Sequence, residues 1–540
     1  MYFDPAENFI YPPHAIYNWM IVAGFFTAVV LVVSLLTLLV SKGVSGFGVF
    51  FTELIGMLKD VFSLSPRRIW ALTRLTFMEA YRRKALAVFV VFGLLFMFAG
   101  WFMGDSKEIQ PDQVKVYISF VLTAVSWLTL PVVLILACFG IPEDIRLRSI
   151  HTVVTKPARR IEIVLGRMIG VSMIGWLVLS VMSVVGYFWI VRQIPQASQE
   201  LLKCRVPVYG LVSFKDREGT YGKEGINVGD IWAFRSYIEG ATKSRAEWRF
   251  FNVDETMLDP EGNLRLENSF SAFRSYKGDM TRPLFYDIKL FNIEHPEISY
   301  TTQPQPVNEF RSKQDIIPRK VTVDDVQYDI LNDLTTKGSD KIPKGILGIE
   351  VACIDRDQYI GMARSDLFIR MPDRRFWVGY WKAIFGTALT VLLVSMIGVA
   401  ASTMVKAPIA AVLTAVMYIL SGKNPHQFMD QLVAGQVQGG GVLESVYRLV
   451  MHLGPSTELP ANPAFTVVQI FDSILMNFLW LCKQVIPRSQ YFNMSEYVAN
   501  GFDVPWATSL IPSLLVTSAF IIPCVMMGYF ALRTRELESK

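Results

Sequence analysis

Seven long runs of apolar residues occur in two groups, one within residues 19–191 and one within residues 376–532. They cover residues 19–40, 85–103, 117–140, 163–191, 376–405, 409–420 and 506–532. A helix rises about 1.5 Å per residue, so roughly 20 apolar residues cross a hydrocarbon layer of about 30 Å. The pattern therefore predicts seven membrane-spanning helices, of which 409–420 is marginal in length and needs flanking residues.

An eighth apolar run, 464–486, is interrupted by Asp472. If this run also crossed the membrane, the basic tail with Arg533, Arg535 and Lys540 would lie outside the cell, against the positive-inside rule. We therefore expect re-entrant or interfacial helices on the outer side within 430–505.

The long polar stretch 192–374 has a different pattern. Short runs rich in aromatic and β-branched residues, at 247–253, 264–267, 284–291 and 346–354, are separated by turn sequences such as Asp259-Pro-Glu-Gly-Asn263. This alternation is typical of a β sandwich. The predicted fold class is a polytopic α-helical membrane protein of about seven spans with an inserted, mostly β, sandwich-like extracytoplasmic domain.

Composition and charge agree with membrane insertion. The chain has 540 residues, of which 52% are hydrophobic, and a net charge of +5. The basic residues Lys42, Lys59, Arg67 and Arg68 follow the first run, which places the N-terminus outside and the C-terminus in the cytoplasm of a multi-pass cell-membrane protein. No mixed basic and aromatic pattern for nucleic-acid binding occurs, so we expect contacts with membrane lipid and none with nucleic acid.

The segment 141–170 is the most charged part of the apolar regions. Pro142, Glu143 and Asp144 are typical of a helix start, and Leu147, Ile150 and Val154 would form one apolar stripe on the helix that follows. Pro157 should end that helix and bend the chain before the next apolar run. Basic residues outnumber acidic ones here, which predicts a cytoplasmic L-shaped segment; they are Arg146, Arg148, Lys156, Arg159, Arg160 and Arg167.

The sequence T-V-V-T-K-P-A-R-R followed by E-I-V-L-G-R resembles the coupling segment of ABC transporter permeases of the type 2 exporter class. In that family, a short cytoplasmic helix docks on a separate ATPase subunit. The resemblance implies that Lys156, Pro157 and Arg159 match the family's basic-proline corner and Gly166 its glycine in the next helix. The residues implied to couple to the ATPase are Glu143, Asp144, Arg146, Arg148, Ser149, His151, Thr152, Thr155, Lys156, Pro157, Arg159 and Arg160. The alternative is a basic juxtamembrane loop that only fixes topology.

The resemblance also implies a division of the chain. Residues 1–68 would be an added span and linker, 69–191 the first half of the permease core with an interfacial helix and the coupling loop 141–162, 192–374 the β domain, and 375–540 the second half. No G-x-x-x-x-G-K-S/T motif and no catalytic constellation occur. We therefore expect no enzyme activity, cofactor or metal in this chain. ATP and Mg should bind a partner ATPase, and a homodimer or a heterodimer with a second permease should form.

Three features of the insert have more than one interpretation. Cys204 and Cys353 could form a disulfide that ties the ends of the domain, or they could be two buried thiols. The cluster of oxygen-bearing side chains Asp254, Glu255, Asp259, Glu261 and Asn263 could hold calcium, although a solvated hairpin explains it better. Aromatic residues such as Trp248 and Tyr286 could form a sugar- or lipid-binding face, but core packing is the commoner role.

The function expected from the sequence is that of the membrane-spanning subunit of an ATP-driven exporter with an unknown substrate. The alternative is a membrane-anchored binding or scaffold protein that acts through its β domain.

Overall fold

Two structural units, one helical and one β, make up the chain. A computed structural model describes residues 12–82, 87–102, 111–146, 159–222, 225–226, 235–274, 283–307, 312–323, 325–338, 343–433, 441–454, 457 and 463–538. The β unit contains Leu202–Phe376 and Gly501–Asp503, and the helical unit contains the described residues before, between and after them. The β unit therefore begins somewhat later than the predicted boundary at residue 192.

The helical unit consists of helices joined mostly by short turns. In chain order they are α1 (Pro12–Ile21), α2 (Thr27–Lys42), α3 (Gly46–Phe62), α4 (Pro66–Arg82), α5 (Val88–Phe102), α6 (Pro111–Arg146), α7 (Arg160–Gln193), α8 (Phe376–Met404), α9 (Ala407–Leu420), α10 (Lys423–Val433), α11 (Val442–Val450), α12 (Pro463–Val485), α13 (Ser495–Ala499) and α14 (Ile511–Glu538). Short π-helical turns, Val22–Phe26 and Trp506–Leu510, join α1 to α2 and precede α14.

Within the described residues, six helical segments are long and apolar enough to cross a membrane. They are Ala15–Phe62, Gln113–Arg146, Arg160–Gln193, Phe376–Met404, Thr466–Lys483 and Trp506–Arg533. Helices α9 and α10 make a seventh if they count as one span, since they pass the same test together but are bent by 74°. The abundance of apolar helices is thus confirmed, while the predicted interfacial position of 464–486 stays a prediction.

The first apolar segment continues beyond residue 40, where the sequence predicted its end. Gly43 has φ = +62°, a conformation that glycine adopts without strain, and the 3₁₀ turn Gly43–Ser45 leads into α3. A Cβ on Gly46 would lie 2.7 Å from the carbonyl oxygen of Leu38. The chain therefore folds tightly where α2 meets α3, and only a residue without a side chain fits at Gly46.

Helix α4 corresponds to the predicted interfacial helix, but its packed face is small and polar. Thr73, Thr76 and Ala80 are buried, whereas large apolar residues such as Trp70 and Tyr81 are exposed. The buried face meets glycines on α7: a Cβ on Gly166 would lie 2.6 Å from Leu72 Cβ, and one on Gly170 would lie 2.6 Å from Thr76 Cβ. A pair of small residues four positions apart lets two helices approach closely.

The described residues of the β unit form four sheets. Its strands are β1 (Lys203–Tyr209), β2 (Leu211–Lys215), β3 (Tyr221–Gly222), β4 (Ser236–Glu239), β5 (Arg245–Phe250), β6 (Leu264–Asn268), β7 (Ser271–Arg274), β8 (Phe285–Phe291), β9 (Ser299–Thr301), β10 (Gln305–Pro306), β11 (Lys313–Ile317), β12 (Lys320–Val323), β13 (Val326–Asp329), β14 (Leu347–Cys353), β15 (Gln358–Met362) and β16 (Leu367–Arg375). The strand orders are β1-β16-β6-β11, β10-β8-β14-β5-β2-β3 with β9 beside β8, β4-β15-β7, and β12-β13.

Alternating side chains on these strands share one hydrophobic core. Trp248 and Phe250 of β5, Ile288 of β8 and Ile349 of β14 belong to the same buried cluster as Leu266 of β6. The largest sheet and the β1-β16-β6-β11 sheet thus pack their apolar faces into a common core, as in a sandwich. The four predicted strand regions correspond to β5, β6, β8 and β14 and are confirmed as strands.

A short segment distant in sequence joins the β unit at β1. The amide of Arg205 donates to the Gly501 carbonyl at 2.7 Å, and the amide of Asp503 donates to the Arg205 carbonyl at 2.8 Å. The Arg205 guanidinium lies over the Phe502 ring, and Arg374 forms an ion pair with Asp503 at 2.8 Å. Through these contacts, Gly501–Asp503 packs as part of the β unit.

Candidate functional site

The predicted coupling segment is described only at its two ends. Glu143, Asp144 and Arg146 lie in the last turn of α6, Arg159 directly precedes α7, and Arg160 begins it. The other predicted coupling residues lie outside the described residues; they are Arg148, Ser149, His151, Thr152, Thr155, Lys156 and Pro157.

One expectation at this segment was wrong. Pro142 does not begin a new helix, because α6 continues through it to Arg146. Ile141 is buried in the hydrophobic core, and Asp144 forms an ion pair with Arg167 of α7. These contacts hold the last turn of α6 against α7, which offsets the hydrogen bond that proline removes from a helix.

Glu162, near the start of α7, accepts hydrogen bonds from three residues. Its side chain is fully buried, and its Oε1 accepts hydrogen bonds from the Ser65 amide at 2.9 Å and from the Arg68 guanidinium at 2.8 and 3.1 Å. Its Oε2 accepts from the Arg159 amide at 3.0 Å. Ser65 and Arg159 directly precede α4 and α7, so the positive ends of two helix dipoles stabilise one carboxylate.

Arg159 links the start of α7 to the end of α3. Its guanidinium forms an ion pair with Asp60 at 2.9 Å and donates to the Lys59 carbonyl at 3.3 Å and to the Ser63 hydroxyl. Because α3 ends at Phe62 and α4 begins at Pro66, these contacts hold the turn between α3 and α4 beside the first turn of α7.

Arg167, about two turns into α7, links α4 and α6. This nearly buried guanidinium forms an ion pair with Glu79 of α4 at 2.6 Å and another with Asp144 of α6. A Cβ on Gly140 would lie 3.4 Å from the Arg167 guanidinium, so the glycine leaves space for it. Salt bridges with so little solvent access are screened less than surface pairs.

We call these residues the flanking network: Asp60, Ser65, Arg68, Glu79, Asp144, Arg159, Glu162 and Arg167. Asp144, just before 147–158, connects to Glu79 of α4 through Arg167. Arg159, just after 147–158, pairs with Asp60 of α3. Buried or half-buried ion pairs therefore tie α6 and α7, the helices that flank 147–158, to α3 and α4.

Sequence reasoning missed most of this network. Arg68 and Arg167 entered only as charges that fix topology, and Asp60, Ser65 and Glu79 did not enter at all. Most of the contacts join residues 88 to 99 positions apart, which a single sequence cannot reveal. The available signal was the presence of charged residues directly beside the apolar runs of α4 and α7, where a charge needs a partner.

Of the two possibilities for Cys204 and Cys353, the structure shows free thiols. Cys204 lies on β1 and Cys353 on β14, in different sheets, and the structure has both as buried thiols. Burial is the main reason that the pKa of Cys353 is raised to about 12. The alternative of two buried thiols therefore describes these residues.

The other candidate sites in the insert have structural roles. The Asp259 carboxylate accepts hydrogen bonds from the amides of Glu261 and Asn263 at 3.0 and 2.7 Å and pairs with Arg265 at 2.8 Å. These donors occupy the oxygens that a calcium ion would need. Trp248 and Tyr286 are fully buried and belong to the core.

A charged row crosses one face of the largest sheet. Glu247 is 2% exposed and pairs with Lys215 at 3.3 Å and Arg249 at 3.0 Å, and its Oε2 accepts from the Tyr221 hydroxyl at 2.7 Å. Burial alone would raise the pKa of Glu247, but these hydrogen bonds and charges outweigh it and lower the pKa below its ordinary value.

Comparisons of the chain with protein-family models, curated proteins and solved structures found no match.

Proposed function

We propose that this chain is the membrane-spanning permease subunit of an ABC exporter, which receives the energy of ATP hydrolysis from a separate ATPase through residues 141–162. The flanking network is the observation that carries the proposal. It connects the residues on both sides of 147–158 to α3 and α4. A segment that transmits motion to the helices needs such connections at both of its ends.

The apolar helices and the charge distribution support a place in the cell membrane. The exposed faces of α2, α4 and α9 carry large apolar side chains such as Leu36, Trp70 and Ile419, which suit contact with lipid chains. With the basic ends of α2 and α14 in the cytoplasm, the N-terminus and the β unit lie outside. Exposed aromatic residues of α4, including Tyr81, fit the headgroup region.

Oligomerisation follows from the number of helices. Six core spans and one added span are few to enclose a transport pathway, so two permease chains, identical or related, would form the path at their two-fold interface. Each would bind one copy of the ATPase, which supplies the sites for ATP and Mg. The β unit would receive or hand on the substrate on the outer side.

Co-purification with an ATPase tests this function. The full-length chain, extracted from its own membranes in mild detergent, should retain a protein with a P-loop, identified by mass spectrometry, and the preparation should hydrolyse ATP. The double variant Arg148→Glu, Lys156→Glu should lose both the protein and the activity, because both changes reverse the charge of the docking segment.

Arg356→Glu is the control, since Arg356 is 86% exposed in the β unit and a positive charge is reversed there, far from 141–162 in sequence. It should retain the ATPase. Absence of any P-loop protein and of ATP hydrolysis from the unmodified chain would contradict the proposal and favour a membrane-anchored binding or scaffold protein that acts through its β unit.

A further inference from the structure

A second polar cluster lies where α9 bends into α10, next to the end of α12. We call it the His426 cluster; it contains His426 and Asp430 of α10, Lys483 of α12 and Arg488. His426 and Asp430 are four residues apart and therefore lie on the same face of α10. Asp430 forms ion pairs with Lys483 and, at 3.6 Å, with Arg488.

His426 is the unexplained member of this cluster. Its side chain is 3% exposed, and neither ring nitrogen has a hydrogen-bond partner within the described chain. A neutral imidazole has one donor and one acceptor nitrogen, and buried polar groups of native proteins are nearly always satisfied. Asp430 forms ion pairs with the two cations and makes no hydrogen bond with the ring. Within the described residues, both ring nitrogens therefore remain available for a further hydrogen bond.

The surroundings of His426 are firmly built. The amide of Ser489 donates to the Ser421 carbonyl at 2.8 Å, which connects the bend after α9 to the turn after α12. The Arg488 guanidinium donates to the Tyr491 hydroxyl at 3.2 Å, and the Tyr491 carbonyl accepts from the Ser513 hydroxyl of α14 at 2.6 Å. These bonds hold Arg488 in place beside α10, so the cations do not depend on a flexible surface.

The charges of the cluster select an anion. Two cations and one carboxylate leave a net positive charge beside an imidazole with an unused N–H. Phosphate oxygens accept such charge-assisted hydrogen bonds from Arg and Lys. A metal ion is disfavoured because Lys483 and Arg488 would repel it, and the described residues contain no group of three metal-ligating side chains.

The position of the cluster favours a phospholipid headgroup over a free anion. The apolar helices α9 and α12 both end here, and large apolar side chains near the cluster are exposed, among them Ile419, Phe428 and Trp480. Cationic side chains at the ends of apolar helices meet lipid phosphates at the membrane surface. We propose that the His426 cluster binds the phosphate of an anionic phospholipid, whose headgroup hydroxyl would donate to the second imidazole nitrogen. The inference needs the helices to lie in a membrane, but it does not need a partner ATPase.

Native mass spectrometry of the full-length chain with added phosphatidylglycerol tests the proposal. The unmodified chain should retain phosphatidylglycerol in preference to phosphatidylcholine. His426→Ala and Lys483→Gln should each weaken retention roughly tenfold, the effect of one lost hydrogen bond to a charged group. Lys42→Gln makes the same charge change at the end of α2 and should have no effect.

Asp430→Asn separates binding from damage to the fold. It removes the carboxylate that competes for Lys483 and Arg488, so retention of phosphatidylglycerol should increase. If His426→Ala does not yield a monodisperse protein, His426→Gln, which keeps a donor, should retain more lipid than Lys483→Gln. Equal retention by the unmodified chain and by the variants would overturn the proposal. Displacement of the lipid by excess inorganic phosphate would also overturn it, because the site would then bind a soluble anion.

Discussion

At the scale of single residues, Glu162 decides the geometry around the proposed coupling segment. One buried carboxylate accepts hydrogen bonds from the residues before two helices and from the Arg68 guanidinium. Such a group is stabilised only while all its donors stay in place, since an unpaired buried charge is costly. The orientation of α4 relative to α7 therefore depends on this side chain.

Glu162→Gln should destabilise the helical unit by about 2–3 kcal/mol, because it replaces charged hydrogen bonds with weaker neutral ones and leaves Arg68 without its counter-ion. Thermal unfolding of the purified chain in detergent measures the change. Glu496→Gln is the control, since Glu496 is exposed on α13 and should have little effect. Equal unfolding temperatures for the two variants would show that the buried carboxylate does not hold α4 and α7 together.

The interactions of the Glu247 carboxylate predict that the stability of the β unit depends on pH. Its pKa is lower in the folded state than in the unfolded chain, so its stabilising contribution is complete above the ordinary glutamate pKa of about 4.3 and is lost as the pH falls toward the folded value. Unfolding of the Glu247→Gln variant, followed by tryptophan fluorescence, should show a lower midpoint than the unmodified chain near neutral pH. The difference should shrink on acidification below the ordinary pKa. A difference that stays constant or grows in acid would contradict the assignment.

The burial of Cys353 predicts that its thiol reacts only after the chain unfolds. Since burial raises its pKa to about 12 and thiolates are the reactive form, maleimide should not label it in the native chain near pH 8. Denaturation without a reductant should expose both Cys204 and Cys353 to labelling, as measured by mass spectrometry of the peptides. A need for reductant before either cysteine is labelled would reveal the disulfide that the structure lacks.

At the scale of elements, the contact between α4 and α7 depends on small residues. Gly166 and Gly170 leave no space for a methyl group against Leu72 and Thr76. The same contact buries threonines and leaves aromatic residues of α4 exposed, the reverse of a helix that packs in water.

Gly166→Ala should destabilise the helical unit by about 1–3 kcal/mol, the usual cost of overpacking, despite the better helix propensity of alanine. Gly93→Ala is the matched control, because no atom lies within 4 Å of the Cβ position there. It should be neutral or stabilising by up to about 1 kcal/mol, since only propensity changes. A lower unfolding temperature for Gly166→Ala together with an unchanged or higher one for Gly93→Ala would support the close contact. A higher unfolding temperature for Gly166→Ala would refute it.

The outcome at these elements shows which features a single sequence reveals. The apolar runs and the strands β5, β6, β8 and β14 were predictable because their patterns are local. The continuation of α6 through Pro142 was not, because it depends on the contact of Asp144 with Arg167 in the next helix. The packed face of α4 escaped detection because its wheel mixes small, polar and aromatic residues, and only the partner glycines decide which face is buried.

At the scale of the whole molecule, the chain returns to its β unit after leaving it. Strand β16 ends at Arg375, directly before α8, and Gly501–Asp503 joins β1 shortly before the chain enters α14. The sequence predicted one contiguous insert, and the contact between Arg205 and Phe502 was not foreseeable from residues so far apart. The ends of three helices, α7, α8 and α14, are thus joined in sequence to one β unit.

The most direct measurement of the central claim is photo-crosslinking from position 151 in native membranes, with a photoactivatable amino acid in place of His151. The account predicts that the product contains a P-loop ATPase and that reagents confined to the cytoplasmic side reach this position. The matched control is the same amino acid in place of Asp357, which is 72% exposed in the β unit and should not crosslink to the ATPase. Labelling of position 151 only from the outer side, or crosslinks to lipid alone, would contradict the proposed coupling role of 141–162.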